Sequence, residues 1–280
     1  MLRDLSFRCA SFLLGSLQSI ISKYSLDLNG DEYTCWLDET VTGLGLIWDA
    51  VYLSSNSEKI VLLNTGKDER NYCLTLLNDG NQYPPFFLPN EHIPLLLVPL
   101  PEIPDSFLVV TSKSIIFFNT DSLTENLEAT KYVGLDFPNN ENTGQEIYIS
   151  DFCIDYRWSK FGLQYLYLVS ERGDIFFGTI TWTPLTISFQ YVGKCFHPIE
   201  KCLFLPTSNK TSSFIGCFGS LCDGSAVLVY ENRHILNLDP PFIIPNAAPV
   251  RDCFYFKPND GQEAENPGIL GSCFVTLTKR

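Results

Sequence analysis

The sequence predicts an all-β fold, on three observations. Aromatic residues make up 14 % of the 280 residues and are mostly Phe and Tyr, types that fill pleated, half-buried surfaces. From Leu46 onward, apolar runs of four to seven residues alternate with Gly, Pro, Asn and Ser, the punctuation of strands and turns. Charged residues are only 18 % against 45 % hydrophobic, so the chain can bury a core and is not a disordered acidic tract.

Residues 1–45 form a separate N-terminal segment. Leu2, Leu5, Cys9, Phe12, Leu13, Leu17, Ile20 and Ile21 recur at three and four, a helical period; the segment reads as a short helix or as the remnant of a strand array whose start is missing. This stretch has the apolar centre of a signal peptide but no clean cleavage site, and no apolar run is long enough for a membrane helix. Residues 46–280 read as one domain of strands. Ile47–Leu53, Lys59–Leu63 and Asn71–Leu77 form a first set, closed by the turn residues Asn78-Asp79-Gly80-Asn81. Ile93–Leu100, Ser106–Thr111 and Ser114–Asn119 form a second. Ile147–Asp155, Gln164–Ser170, Asp174–Trp182 and Ile187–Gly193 form a third, with Ser170-Glu171-Arg172-Gly173-Asp174 as a turn between strands. Lys201–Leu205, Ser213–Phe218 and Ala226–Tyr230 form a fourth, and Val250–Phe256 with Ile269–Val275 a fifth. Phe137–Thr143 and Asn259–Pro267 read as long loops between strands. The sets begin near Ile47, Ile93, Ile149, Lys201 and Val250. A period of about fifty residues with three or four strands per unit is the signature of propeller blades. The expectation is therefore a β-propeller of four to five blades.

Chemistry-bearing residues are few. His92, His197 and His234 are the only neutral-pH bases, and none lies in a nucleophile or metal motif. Gly216-Cys217-Phe218-Gly219 and Cys222-Asp223-Gly224-Ser225 read as turns. Asp68-Glu69 reads as a charged surface turn. Asp151 and Asp155 share one face of a strand and read as an ordinary polar strand end in preference to a catalytic acid pair. The ten cysteines include no CxxC pair. Cys195, His197 and Cys202 lack the paired knuckles of a zinc site, so the cysteines read as buried free thiols of a reducing compartment. No catalytic, cofactor-binding or metal-binding residues are assigned, and no cofactor or small-molecule ligand is expected. The net charge of −13 disfavours direct nucleic-acid binding and favours basic partners.

Four stretches carry a family resemblance. Leu95–Asn119 resembles a proline-containing hairpin of large propeller scaffolds, with Ile103, Asp105 and Ser106 where that hairpin has glycines. Gln164–Ile180 resembles their next motif, an apolar strand meeting an acidic-Gly turn. Phe214–Tyr230, with Gly219 and Asp223-Gly224-Ser225, resembles a third hairpin. Ala248–Cys273, opening Ala-Pro-Val-Arg-Asp-Cys, resembles their glycine-proline-isoleucine-x-aspartate strand. The family holds the large subunit of the UV-damaged-DNA-binding complex, its yeast methyl-methanesulfonate-sensitivity relative, and large subunits of the cleavage/polyadenylation factor and splicing factor 3b. The resemblance implies that these blades are an incomplete part of a seven-bladed propeller, the first of three in a longer chain. It also implies a non-enzymatic protein-interaction scaffold of a nuclear multi-subunit complex, with the cytoplasm as a second location. The cullin-ligase adaptor branch of the DNA-damage response leads, with the mRNA splicing and 3′-end processing branch as alternative. A small propeller hydrolase is a third reading; it would need a polar funnel, whereas the sets begin on Ile47, Ile93, Ile149 and Val250. An unclosed propeller leaves two sheet edges open, so an isolated chain is expected to aggregate or unfold without a sharp two-state transition.

Overall fold

The computed structural model describes the backbone of residues 21–243 except 30–31, 42–43, 55–57, 66–70, 79–80, 90–92, 101, 126, 130, 138–147, 156–160, 195–197, 207–212, 220–224, 233–234 and 238–241, and side chains between 44 and 202. The fifth predicted set, Val250–Phe256 with Ile269–Val275, lies outside the described residues. So do His92, His197, His234, Cys195 and Asp68-Glu69.

The described chain is all-β, with one short helix. Its first strands are β1 (Ile21–Asn29) and β2 (Glu32–Val41), an antiparallel hairpin of its own. Ile21, the last residue of the predicted helical period, thus opens a strand, and the rest of that period lies outside the described residues. From Tyr24 to Asn29 apolar and polar residues alternate, and Asn29-Gly30 supplies hairpin-turn chemistry.

Four antiparallel meanders follow. The first contains β3 (Ile47–Ser54), β4 (Glu58–Thr65), β5 (Tyr72–Asn78), β6 (Asn81–Gln82) and β7 (Phe86–Phe87). The second contains β8 (Pro94–Pro99), β9 (Ser106–Thr111), β10 (Ser114–Asn119) and, after α1 (Thr120–Thr124), β11 (Lys131–Gly134). The third contains β12 (Ile149–Asp155), β13 (Leu163–Ser170), β14 (Asp174–Trp182) and β15 (Leu185–Lys194). The fourth contains β16 (Lys201–Pro206), β17 (Ser213–Gly219), β18 (Ser225–Asn232), β19 (Ile235–Asn237) and β20 (Phe242–Ile243). Within each, successive strands pair in sequence order; β6 and β7 both pair with β5, and β19 and β20 with β18. Gly216-Cys217-Phe218-Gly219 is thus not a turn. It lies inside β17, where Cys217 faces Cys202 on one side and Val227 on the other.

Central strands are buried on both faces, which explains their unbroken apolar spelling. All six residues of β9 are buried, and five of seven in β5. Two buried polar side chains on β4 and β5 satisfy each other. Thr75 Oγ1 donates to Asn64 Oδ1 at 3.0 Å, and Asn64 Nδ2 donates to the Thr65 carbonyl at 3.0 Å. One edge of the first meander is blunted: β6 and β7 have two residues each, separated by Pro84-Pro85, which cannot extend a ladder.

The chain divides into two compact units, Met1–Val109 with Phe117–Lys131, and Val110–Ile116 with Tyr132–Arg280. In the former, Leu44, Ile60, Leu62 and Leu77 form an apolar cluster. Phe118 stacks on Phe107 at 5.7 Å and meets Phe86 edge-on at 5.5 Å. Asp105 sits at φ +57°, a left-handed conformation that Asp tolerates better than most side chains. Its carboxylate pairs with Lys59 at 2.9 Å, and Lys59 Nζ also donates to Thr120 Oγ1. In the latter unit, Cys153, Tyr167, Val169, Ile175, Ile199 and Cys202 form the core cluster. Phe176 meets Phe137 and Tyr191 edge-on at 4.8 and 5.5 Å.

Two details repeat along the chain. Both β3 and β12 open with an Ile, an intervening residue and an Asp, with a β-bulge at that step. In each, the Asp reaches the first strand of the next meander: Asp49 Oδ2 accepts from Leu97 N at 2.7 Å, and Asp151 Oδ2 from Cys202 N at 2.8 Å. Turns repeat as well. Thr111 Oγ1 accepts from Ser114 N at 2.9 Å, and Ser170 Oγ accepts from Asp174 N at 2.9 Å, each closing a hairpin from its first residue.

Candidate interaction surface

Asp151 and Asp155 do lie on one face of β12, but their surroundings are those of structural groups. Asp151 accepts from Cys202 N and faces Lys201 Nζ at 3.7 Å. Asp155 is buried, and Cys153 between them packs into the apolar cluster. Cys73, Cys153 and Cys202 are buried. Among the described residues no group of three His, Cys, Asp or Glu is arranged to hold a metal. No described helix is long and apolar enough to cross a membrane. Of the strand starts expected to be packed, Ile149 is buried and Ile47 half-buried, but Ile93 is exposed just ahead of β8.

The feature that stands out lies at one end of the first meander. Trp48 is 52 % exposed, and its ring sits 6.2 Å from that of Tyr72, tilted by 59°. Leu46 beside it is also exposed. The backbone beneath is tied down across four strands. Leu46 N donates to Thr65 Oγ1 and Thr65 N donates back to the Leu46 carbonyl, both at 2.9 Å. Thr65 pairs with Tyr72 in the ladder, and the Tyr72 carbonyl accepts from Leu88 N at 2.9 Å. Trp48 is the residue of the bulge, and bulges re-aim side chains out of the regular alternation.

The third meander is an internal control. Its bulge has the same register, Ile149 facing Ser170 as Ile47 faces Asn64. Glu171 N donates to the Tyr148 carbonyl just as Thr65 N donates to that of Leu46. At the bulge position it carries Ser150, whose hydroxyl is within hydrogen-bonding reach of the Val169 and Ile199 carbonyls. The bulge therefore accepts a small, inward-tied residue. Nothing in its geometry demands an exposed indole, so Trp48 is extra to what the fold needs. Sequence reading absorbed Trp48 into an apolar run; the Ile-x-Asp spelling shared by the two strands was the available signal.

No family model matches the chain, and no curated protein matches it. Among solved structures it is similar to the crystal structure of a functionally unknown protein from Desulfotomaculum acetoxidans DSM 771. The identity is 12 % and the TM-score 0.47, over 81 % of this chain and 67 % of that one.

Proposed function

We propose that this chain is a β-propeller-type, non-catalytic scaffold that binds other proteins within a nuclear multi-subunit complex. The observation that carries the binding role is the exposed Trp48, backed by the half-buried Tyr72 on a cross-braced backbone, at a bulge that holds a serine in the third meander. Rigid aromatic anchors are the side chains that dominate protein interfaces. The blade reading is supported by four sequential meanders whose first strands start at residues 47, 94, 149 and 201, the repeat length of propeller blades. The nuclear assignment rests on the resemblance of the four motif stretches to the large propeller scaffolds, with the cullin-ligase adaptor branch preferred. The test is affinity capture from nuclear extract with the wild-type chain and Trp48→Ser, read by mass spectrometry. Recovery of a cullin-ligase component that falls with Trp48→Ser is the expected result. Splicing or polyadenylation subunits in its place would move the chain to the other branch. Identical recoveries with both chains would remove the role given to Trp48.

A further inference from the structure

We propose that the Trp48–Tyr72 pair receives an arginine of an extended, basic segment in the partner protein, an inference that rests on the scaffold reading above. The exposed indole of Trp48 and the half-buried ring of Tyr72, tilted by 59° at 6.2 Å, offer one π face to stack on and a second ring to flank the same group. Trp is the best side chain for a cation over its face. Charge complementarity points the same way. The chain carries −13 overall, which draws basic segments toward it. Among the described side chains of the first meander the only cation is Lys59, and it is held by Asp105 and Thr120, so it does not compete for the rings. Arginine fits better than lysine because its guanidinium is planar, weakly hydrated and stacks on aromatic faces.

A suitable probe is a fluorescein-labelled peptide of Gly-Ser-Arg repeats, with a second peptide carrying citrulline, a neutral isostere, in place of each arginine. Anisotropy titrations would compare the wild-type chain with Trp48→Ser and Trp48→Phe. Serine already occupies the matching bulge of the third meander, so Trp48→Ser is expected to fold, which circular dichroism checks. The expected result is that Trp48→Ser weakens the arginine peptide by roughly two- to fivefold. Trp48→Phe should recover part of that loss, and the citrulline peptide should be indifferent to all three chains. A double-mutant cycle between Trp48 and arginine then gives a non-zero coupling. Equal binding of the arginine peptide by wild type and Trp48→Ser would mean only diffuse attraction to an acidic surface, and would overturn the proposal. So would Trp48-dependent binding of the citrulline peptide, or of a proline-repeat peptide without arginine. If that happened while Trp48→Ser still abolished capture from nuclear extract, the scaffold reading would stand without its arginine.

Discussion

Replacing Asp49 by Ala should expose how successive meanders are held. Asp49 Oδ1 accepts from Ala50 N at 2.8 Å, and Oδ2 accepts from Leu97 N at 2.7 Å across 48 residues of chain. Leu97 is 3 % exposed, so its amide has no ready access to water once the carboxylate is gone. Hydrogen bonds to a charged group contribute about 1.5–3 kcal/mol, and an orphaned buried donor costs about 1–3 kcal/mol. The expected loss is about 2–3 kcal/mol, or roughly 5–10 °C in melting temperature for a domain of a couple of hundred residues. Asp151→Ala should cost a similar amount through Cys202 N. The ion pair with Lys201 adds little, because it is long at 3.7 Å and Lys201 is well exposed; Lys201→Ala should therefore fall below about 1 kcal/mol. Differential scanning fluorimetry gives the global effect. Hydrogen exchange at the Leu97 amide gives the local one, with a roughly thirty- to hundredfold rise for Asp49→Ala. A near-neutral Asp49→Ala, or a Lys201→Ala as damaging as Asp151→Ala, would refute the reasoning.

Gly178→Ala should destabilise by about 1–3 kcal/mol, because a Cβ there would collide with the ring of Phe189; thermal unfolding reads it, and Phe189→Leu in the same chain should relieve it. Ser170→Ala removes an acceptor for the Arg172 and Asp174 amides and a donor to Asp174 Oδ2, a loss of about 1–3 kcal/mol measurable by urea denaturation. Gln164→Leu should be neutral or raise stability by about 1 kcal/mol, since both amide atoms of Gln164 are buried without a hydrogen bond; a lowered melting temperature would show that the amide is in use. Cys153, buried in the apolar cluster of β12, should resist alkylation in the native chain and react on unfolding, as peptide mapping would show.

The strands were legible because period and punctuation coincide with them. Ser106–Thr111, Ser114–Asn119 and Asp174–Trp182 have the bounds their spelling predicts, since each is closed by a hydroxyl or acidic turn. Bounds drifted where the ladder continues through residues of weak propensity. β15 starts at Leu185, directly after the turn at Pro184, and ends at Lys194, whereas apolarity alone picks out Ile187–Gly193. Gly216–Gly219 misled for the opposite reason: glycines that read as a turn sit inside β17, between two partner strands. The interaction surface was not legible at all. Trp48 reads as one apolar residue in a strand, and only the bulge turns it outward.

The Ile-x-Asp spelling joins these threads. A bulge at the start of a strand is locally unfavourable because it leaves a residue out of the ladder. In β3 and β12 that irregularity places a carboxylate where the next meander's first strand presents a backbone amide. The receiving strands β8 and β16 open on Pro94 and Lys201 and lack the motif. One clasp lies within each compact unit, β3 to β8 in one and β12 to β16 in the other. The meanders are thus equivalent in strand order but alternate in role, one giving the carboxylate and the next the amide. The residue between Ile and Asp is the one position the clasp leaves free. Ser150 spends it on bonds to neighbouring carbonyls, while Trp48 faces out beside Tyr72. Residue 48 can therefore change without loosening the clasp, and Trp48→Ser should leave the exchange rate of the Leu97 amide unchanged while Asp49→Ala raises it.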